Sequence, residues 1–143
     1  MSHVVLDDHL LRNVLSDDLH GGLGRLVREK ELATTNLFYV RLCKSVVSAR
    51  GGKLTGGWSL ELRRELGRQL LQLPDSVLVL PIRLIGYRLA ELAESQGLST
   101  LGAEAVAAAE HLGAPLCVWE GNDGPGIRAA ARAAGVTYQT VAL

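Results

Sequence analysis

Aromatic side chains, cysteine and net charge are all scarce in this chain. Only 4% of its 143 residues are aromatic, against 48% hydrophobic overall, so its core must be built from Leu, Val and Ala. The two cysteines, Cys43 and Cys117, lie far apart, which argues against a disulfide or zinc framework and for two small buried hydrophobes. The four histidines show no ligand spacing, and His9, the only one near the acids Asp7 and Asp8, reads as a surface helix residue. No apolar run is long enough to cross a bilayer and no secretory h-region opens the chain, which points to a cytoplasmic protein with no membrane association. The length fits one domain over residues 1–143, large enough to bury a substantial core.

The formal net charge is zero, yet the charge is unevenly distributed. Residues 41–68 carry a net +5, so the remainder carries −5. Lys44, Arg50, Lys53, Arg63 and Arg64 of this region are candidates for contacting nucleic-acid phosphates, a sequence-independent and salt-sensitive interaction. SARGGKLTGGW (Ser48–Trp58) reads as a flexible loop whose Trp58 either stacks on a base or anchors the loop on the core. Solvated helix charges, with Glu61 and Glu65 pairing locally, explain the same pattern.

The densest information lies in LSTLGAEAVAAAEHLGAPLCVWE, residues 98–120. Leu101, Ala105, Ala108, Ala109 and Leu112 recur at helical spacing, Gly113 stops the helix, and Leu116 to Trp119 form a short apolar strand. Glu120 follows at the strand's C-terminal end, where open α/β sheets place ligands. At the N-terminus a second apolar run, Val4 to Leu6, ends in Asp7 and Asp8 and leads into a helix. Asp8 is suited to cap that helix, leaving Asp7 without a local duty. If the two strands are parallel neighbours, Asp7 and Glu120 share an edge and need a cation or a basic partner.

The rest of the chain alternates in a βαβα order. Strands are expected near 3–6, 32–35, 115–119 and 136–141, with an extended piece near 77–80. Helices are expected near 8–15, 36–49, 59–73, 83–96, 101–112 and 124–134. Residues 17–25 read as a loop, with a possible short helix over 25–31.

The strand ending in Asp7, VLVLP (Val77–Pro81) with its following helix, the 98–120 block and the closing RAAARAAGVTYQTV together resemble the PIN domains, closest to the ribonuclease toxins of VapBC-type toxin–antitoxin modules. The resemblance covers almost the whole chain. It implies a three-layer α/β/α fold with a central, mainly parallel sheet, and an edge of about four acids holding Mg²⁺ or Mn²⁺ to activate water for RNA cleavage. It also implies RNA or DNA, an antitoxin-like protein and a second copy of the chain as partners. Carried over position by position, Asp7 matches the first acid and Glu120 the fourth, with Asp123 a second candidate. The second acid position holds Arg41 and the third holds Gly102.

Asp7 and Glu120 alone would hold one ion weakly, because a two-metal clamp spaced at about 3.5–4 Å needs more negative charge. An arginine beside them competes with the ion by its fixed charge and donor fork, so Arg41 reads as a cation substitute. Two functions follow. One is a degenerate PIN-like domain without efficient nuclease activity that binds nucleic acid or protein and needs no cofactor. The alternative is a Mg²⁺- or Mn²⁺-dependent ribonuclease with a rearranged site of Asp7, Glu104, Glu120 and Asp123. Glu104 sits two residues past Gly102, off its helix face, and a solvated surface carboxylate is its plainer reading. Gly124, Gly126 and Ala129 make a GxGxxA spacing, but it comes too late in the chain for a dinucleotide fold.

Overall fold

Period-two alternation divides the three inner strands of the sheet between two cores. In the computed structural model, which describes residues 2–143, β1 (His3–Leu6) sends Val5 to one face and Val4 and Leu6 to the other. β2 (Glu31–Thr34) splits Ala33 from Leu32 in the same way. β4 (Leu116–Trp119) splits Leu116 and Val118 from Cys117. Strands buried on both faces read as unbroken apolar runs and need helices on both sides. The result is a three-layer α/β/α fold.

The sheet has five strands in the order β3-β2-β1-β4-β5, with β3 at Val77–Val79 and β5 at Tyr138–Val141. Every pairing is parallel, so the mainly parallel expectation becomes an all-parallel sheet. The chain runs outward from β1 through β2 to β3, then returns to β1's other side for β4 and β5. That reversal creates a crevice at the C-terminal ends of β1 and β4.

One face is covered by α6 (Gly86–Gln96), α7 (Thr100–Leu112) and α8 (Pro125–Ala133). α7 is buried almost all round, and its Ala103, Ala105, Ala107, Ala108 and Ala109 let neighbouring backbones approach closely. The other face carries α1 (Asp8–Leu15), α2 (Gly22–Glu29), α4 (Gly52–Thr55) and α5 (Leu60–Leu71). α3 (Asn36–Val47) contributes to both cores, through Phe38 to one and Leu42 to the other.

Three local expectations need correction. α2 begins at Gly22, inside the stretch read as a loop, because Leu23 and Leu26 pack into the core. The segment read as a flexible loop contains the turn of helix α4, with Leu54 and Thr55 buried. The helix expected from residue 83 starts at Gly86, preceded by a separate 3₁₀ turn, Ile82–Leu84, after Pro81. No helix among the described residues is long and apolar enough to cross a membrane.

Candidate functional site

Asp7 leaves β1 at the crevice, and its backbone N–H donates to Cys117 O across the sheet at 3.3 Å. Asp7, not Asp8, is the N-cap of α1: its Oδ1 accepts from Leu10 N at 2.9 Å. Its Oδ2 accepts from Trp119 N at 2.9 Å and from Asn122 Nδ2 at 2.7 Å. Three N–H donors thus converge on one fully buried carboxylate. Burial pushes the Asp7 carboxyl above its ordinary range; the donors from Leu10, Asn122 and Trp119 oppose that rise, while nearby Asp8 adds to it.

Asp8 is displaced by one position into the first turn of α1 and is fully buried there. Its Oδ1 accepts from His9 N at 2.9 Å and lies 3.2 Å from His9 Nδ1. Its Oδ2 makes no hydrogen bond, but Arg41 Nη1 stands 3.4 Å away. Burial pushes this carboxyl up, yet the His9 hydrogen bond and the Arg41 charge together hold it below its ordinary value. Arg41 is therefore the charge partner of Asp8 and not of Asp7 or Glu120. Its side chain is 48% exposed, so water screens the pair to about the 1 kcal/mol of an exposed ion pair.

His9 was expected at the surface and is buried instead. Its ring stacks on Trp119 with centroids 4.2 Å apart. Asn122 Nδ2 lies 2.7 Å from Asp7 Oδ2, 3.1 Å from Asp8 Oδ1 and 3.1 Å from His9 Nδ1. An amide nitrogen thus occupies the point where these three side chains converge. Asn122 was not legible as a site residue, and His9, though the only histidine near the proposed site, read as a surface residue. Asn122 sits in a Gly-rich turn whose acid, Asp123, drew attention, although its place just after β4 was the available signal.

The remaining candidate acids do not join this cluster. Glu104 is fully buried, against the expectation of a solvated surface carboxylate. Its Oε1 accepts from Leu37 N at 2.9 Å, and its Oε2 accepts from Asn36 N at 3.1 Å and Asn36 Nδ2 at 2.9 Å. With Thr35 Oγ1 accepting from Phe38 N, these bonds complete the N-terminal turn of α3. Glu120 is exposed, and Asp123 is exposed and held by Arg128 at 2.8 Å and by Tyr138 Oη at 2.8 Å. Those bonds hold the Asp123 carboxyl below its usual range, and burial and Asp123 raise the Tyr138 hydroxyl.

Among the described residues, Asp7, Asp8 and His9 form the one group of three potential metal ligands, with ligand atoms within 4.8 Å of one another. A donor set with an imidazole suits a transition ion better than Mg²⁺, which prefers oxygen. The four-acid edge implied by the resemblance is not assembled. Arg41 and Gly102 fill two of its positions, and Asp7 Oδ2 already accepts two N–H donors. The residues present do not fit a two-Mg²⁺ centre.

Two cavities flank Arg41. One, of about 260 Å³, is a notch between α1, α3 and α4 lined by His9, Arg41, Lys44, Ser45, Ser48, Lys53 and Leu54. Its floor is pinned by a buried hydroxyl pair, Ser45 Oγ and Thr55 Oγ1, at 2.8 Å. Gly51 turns the chain there at φ 76°, and a Cβ would meet Thr55 O at 2.6 Å. Arg63, expected to contact nucleic acid, instead donates to Val46 O at 2.9 Å and to Ser48 O, closing the C-terminal end of α3. Arg50 and Arg64 are exposed. Trp58 is half-buried in the core with Arg12 5.8 Å over its ring, which makes it the loop's anchor. The second cavity, of about 250 Å³, lies on the opposite side of Arg41 against α7.

No family model matches the chain, and no curated protein matches it. Its fold is similar to that in the crystal structure of PAE2754 from Pyrobaculum aerophilum, with a TM-score of 0.57 and 18% identity over 96% of this chain and 83% of that one. At that identity the likeness is one of fold alone.

Proposed function

We propose that this chain is a PIN-like domain without efficient nuclease activity that binds nucleic acid through the basic notch beside its former acidic edge. One observation carries this reading: every buried acid near the edge already has an intramolecular partner. Asp7 caps α1 and holds Trp119 and Asn122, Asp8 faces Arg41, and Glu104 caps α3. Carboxylates that satisfy buried donors are structural groups, and withdrawing them to ligate an ion would orphan those donors.

The notch supplies what a phosphate backbone needs. Arg41, Lys44 and Lys53 line it together with two hydroxyls and no carboxylate. Such contacts position a strand without reading its sequence. For single strands each neutralised phosphate contributes about −0.7 to the slope of log affinity against log salt. A Lys44→Glu, Lys53→Glu variant should therefore bind single-stranded RNA at least tenfold more weakly, and losing two contacts should flatten the salt slope by about 1.4. Fluorescence anisotropy measures both. An unchanged affinity and slope would remove the notch from the account.

The alternative, a Mn²⁺- or Mg²⁺-dependent ribonuclease with a rearranged site, draws on the Asp7–Asp8–His9 convergence alone. It requires Asn122 to leave that point and Arg41 to tolerate a cation beside it.

A further inference from the structure

The cavity on the α7 side of Arg41 has a lining unlike that of the basic notch. It measures about 250 Å³ and is lined by Phe38, Leu98, Leu101, Val118 and Ile127, with Gly102, Ser99, Asn122 and Arg41 as its remaining walls. Arg41 is its only charged group. The apolar residues come from α3, α7, β4, α8 and the turn before α7, so the cavity is built by the packed layers and not by a mobile loop. It lies at the C-terminal end of β4, in the crevice where the strand order reverses. Mostly apolar walls with a few convergent polar groups are the usual make-up of a small-ligand site.

We infer that this cavity binds a small organic anion, a carboxylate carried on a single ring or a short branched chain, with the Arg41 guanidinium taking the charge. A guanidinium has five N–H donors, and one arm faces Asp8, leaving donors for a carboxylate. Asp8 cancels part of the arginine's charge, so charge alone holds an ion weakly here. The affinity must come also from covering Leu98, Leu101 and Ile127, which are only partly buried. This selects an anion with an apolar body over bare phosphate. The volume falls just below the roughly 300–1,000 Å³ typical of drug-sized ligands, which suits a body of one ring or a short branch.

Gly102 provides the control. A Cβ there would meet Ser99 Oγ at 3.6 Å and Leu98 Cδ2 at 3.8 Å, ordinary contacts, so a side chain enters the cavity without disturbing the helix. The cavity shares Arg41 with the basic notch, and its test uses no nucleic acid.

The experiment is an amide-detected NMR titration of the full chain with benzoate and isovalerate, against benzamide and inorganic phosphate. The inference predicts saturable shifts at Leu101, Gly102 and Asn122 with either carboxylate, and binding of benzamide and phosphate weaker by at least tenfold. Arg41→Met, which keeps the apolar stem, and Gly102→Asp, which returns a carboxylate to the wall, should each weaken benzoate at least tenfold. Gly102→Asp keeps the test decisive if Arg41→Met fails to fold. Absence of saturable shifts up to about 10 mM, beyond the millimolar affinities reached by weak ligands, would overturn the inference. So would equal binding of benzamide, or benzoate binding unchanged in Gly102→Asp.

Discussion

Replacing Glu104 by alanine should destabilise the fold by at least about 3 kcal/mol. The estimate follows from its bonds. Asn36 N and Leu37 N lose their acceptor, and each orphaned donor of this kind costs about 1–3 kcal/mol. Asn36 Nδ2 keeps Leu80 O at 2.8 Å and so loses less. Removing a fully buried side chain also leaves a void in the α7 layer, a further ~1 kcal/mol or more. For a chain of this size the total corresponds to a Tm drop of roughly 10 °C. Glu104→Gln keeps the shape and one acceptor but turns an NH₂ toward a donor, so about 2 kcal/mol is expected. Urea denaturation followed by circular dichroism measures both, with an unchanged m-value as the check that unfolding stays comparable. A Glu104→Ala variant within about 0.5 kcal/mol of wild type would refute the structural role, since that is the range of a solvated surface acid.

Three other predictions follow from the same site. Asp8 sits below its ordinary pKa, so its contribution to stability is present above about pH 4 and is lost as pH falls through its lowered folded value; Asp8→Asn should be less stable than wild type at neutral pH, and urea titrations should show the two converging in acid. Burial and the nearby Asp7 push the Cys117 thiol up to about 11, so at neutral pH it should resist a thiol-specific chromogenic reagent in the native state and react promptly once denatured, with the half-buried Cys43 reacting first. Combining Arg41→Glu with Gly102→Asp places acids at the two positions where the resemblance implies them, and calorimetry should show Mn²⁺ binding at least tenfold tighter than in wild type; no gain in a folded double variant would count against Arg41 as a cation substitute.

Much of the framework was legible because it rests on local patterns. The short apolar runs Val4–Leu6 and Leu116–Trp119 fall in β1 and β4, Pro115 separates β4 from the helix before it, and the Ala-rich spacing of α7 marks a helix packed in the interior. The α4 turn was hidden because it depends on a tertiary hydroxyl pair, Ser45 with Thr55, that no periodicity reveals. The site was harder to read for the same reason. Arg41's place near the acids followed from the resemblance, but its choice of Asp8 over Asp7 depends on which carboxylate caps α1, a difference of one residue. Glu104 looked solvated because helix spacing separates it from Gly102; its burial depends on the N-terminus of α3 arriving opposite it, a contact between residues 68 apart in sequence.

The most direct test of the central claim places labelled single-stranded RNA with the protein and Mn²⁺ in one tube, reading anisotropy and strand integrity together. The account predicts RNA that is bound, released by salt and left intact. Cleavage of that RNA, abolished by Asp7→Asn in a folded variant, would contradict it.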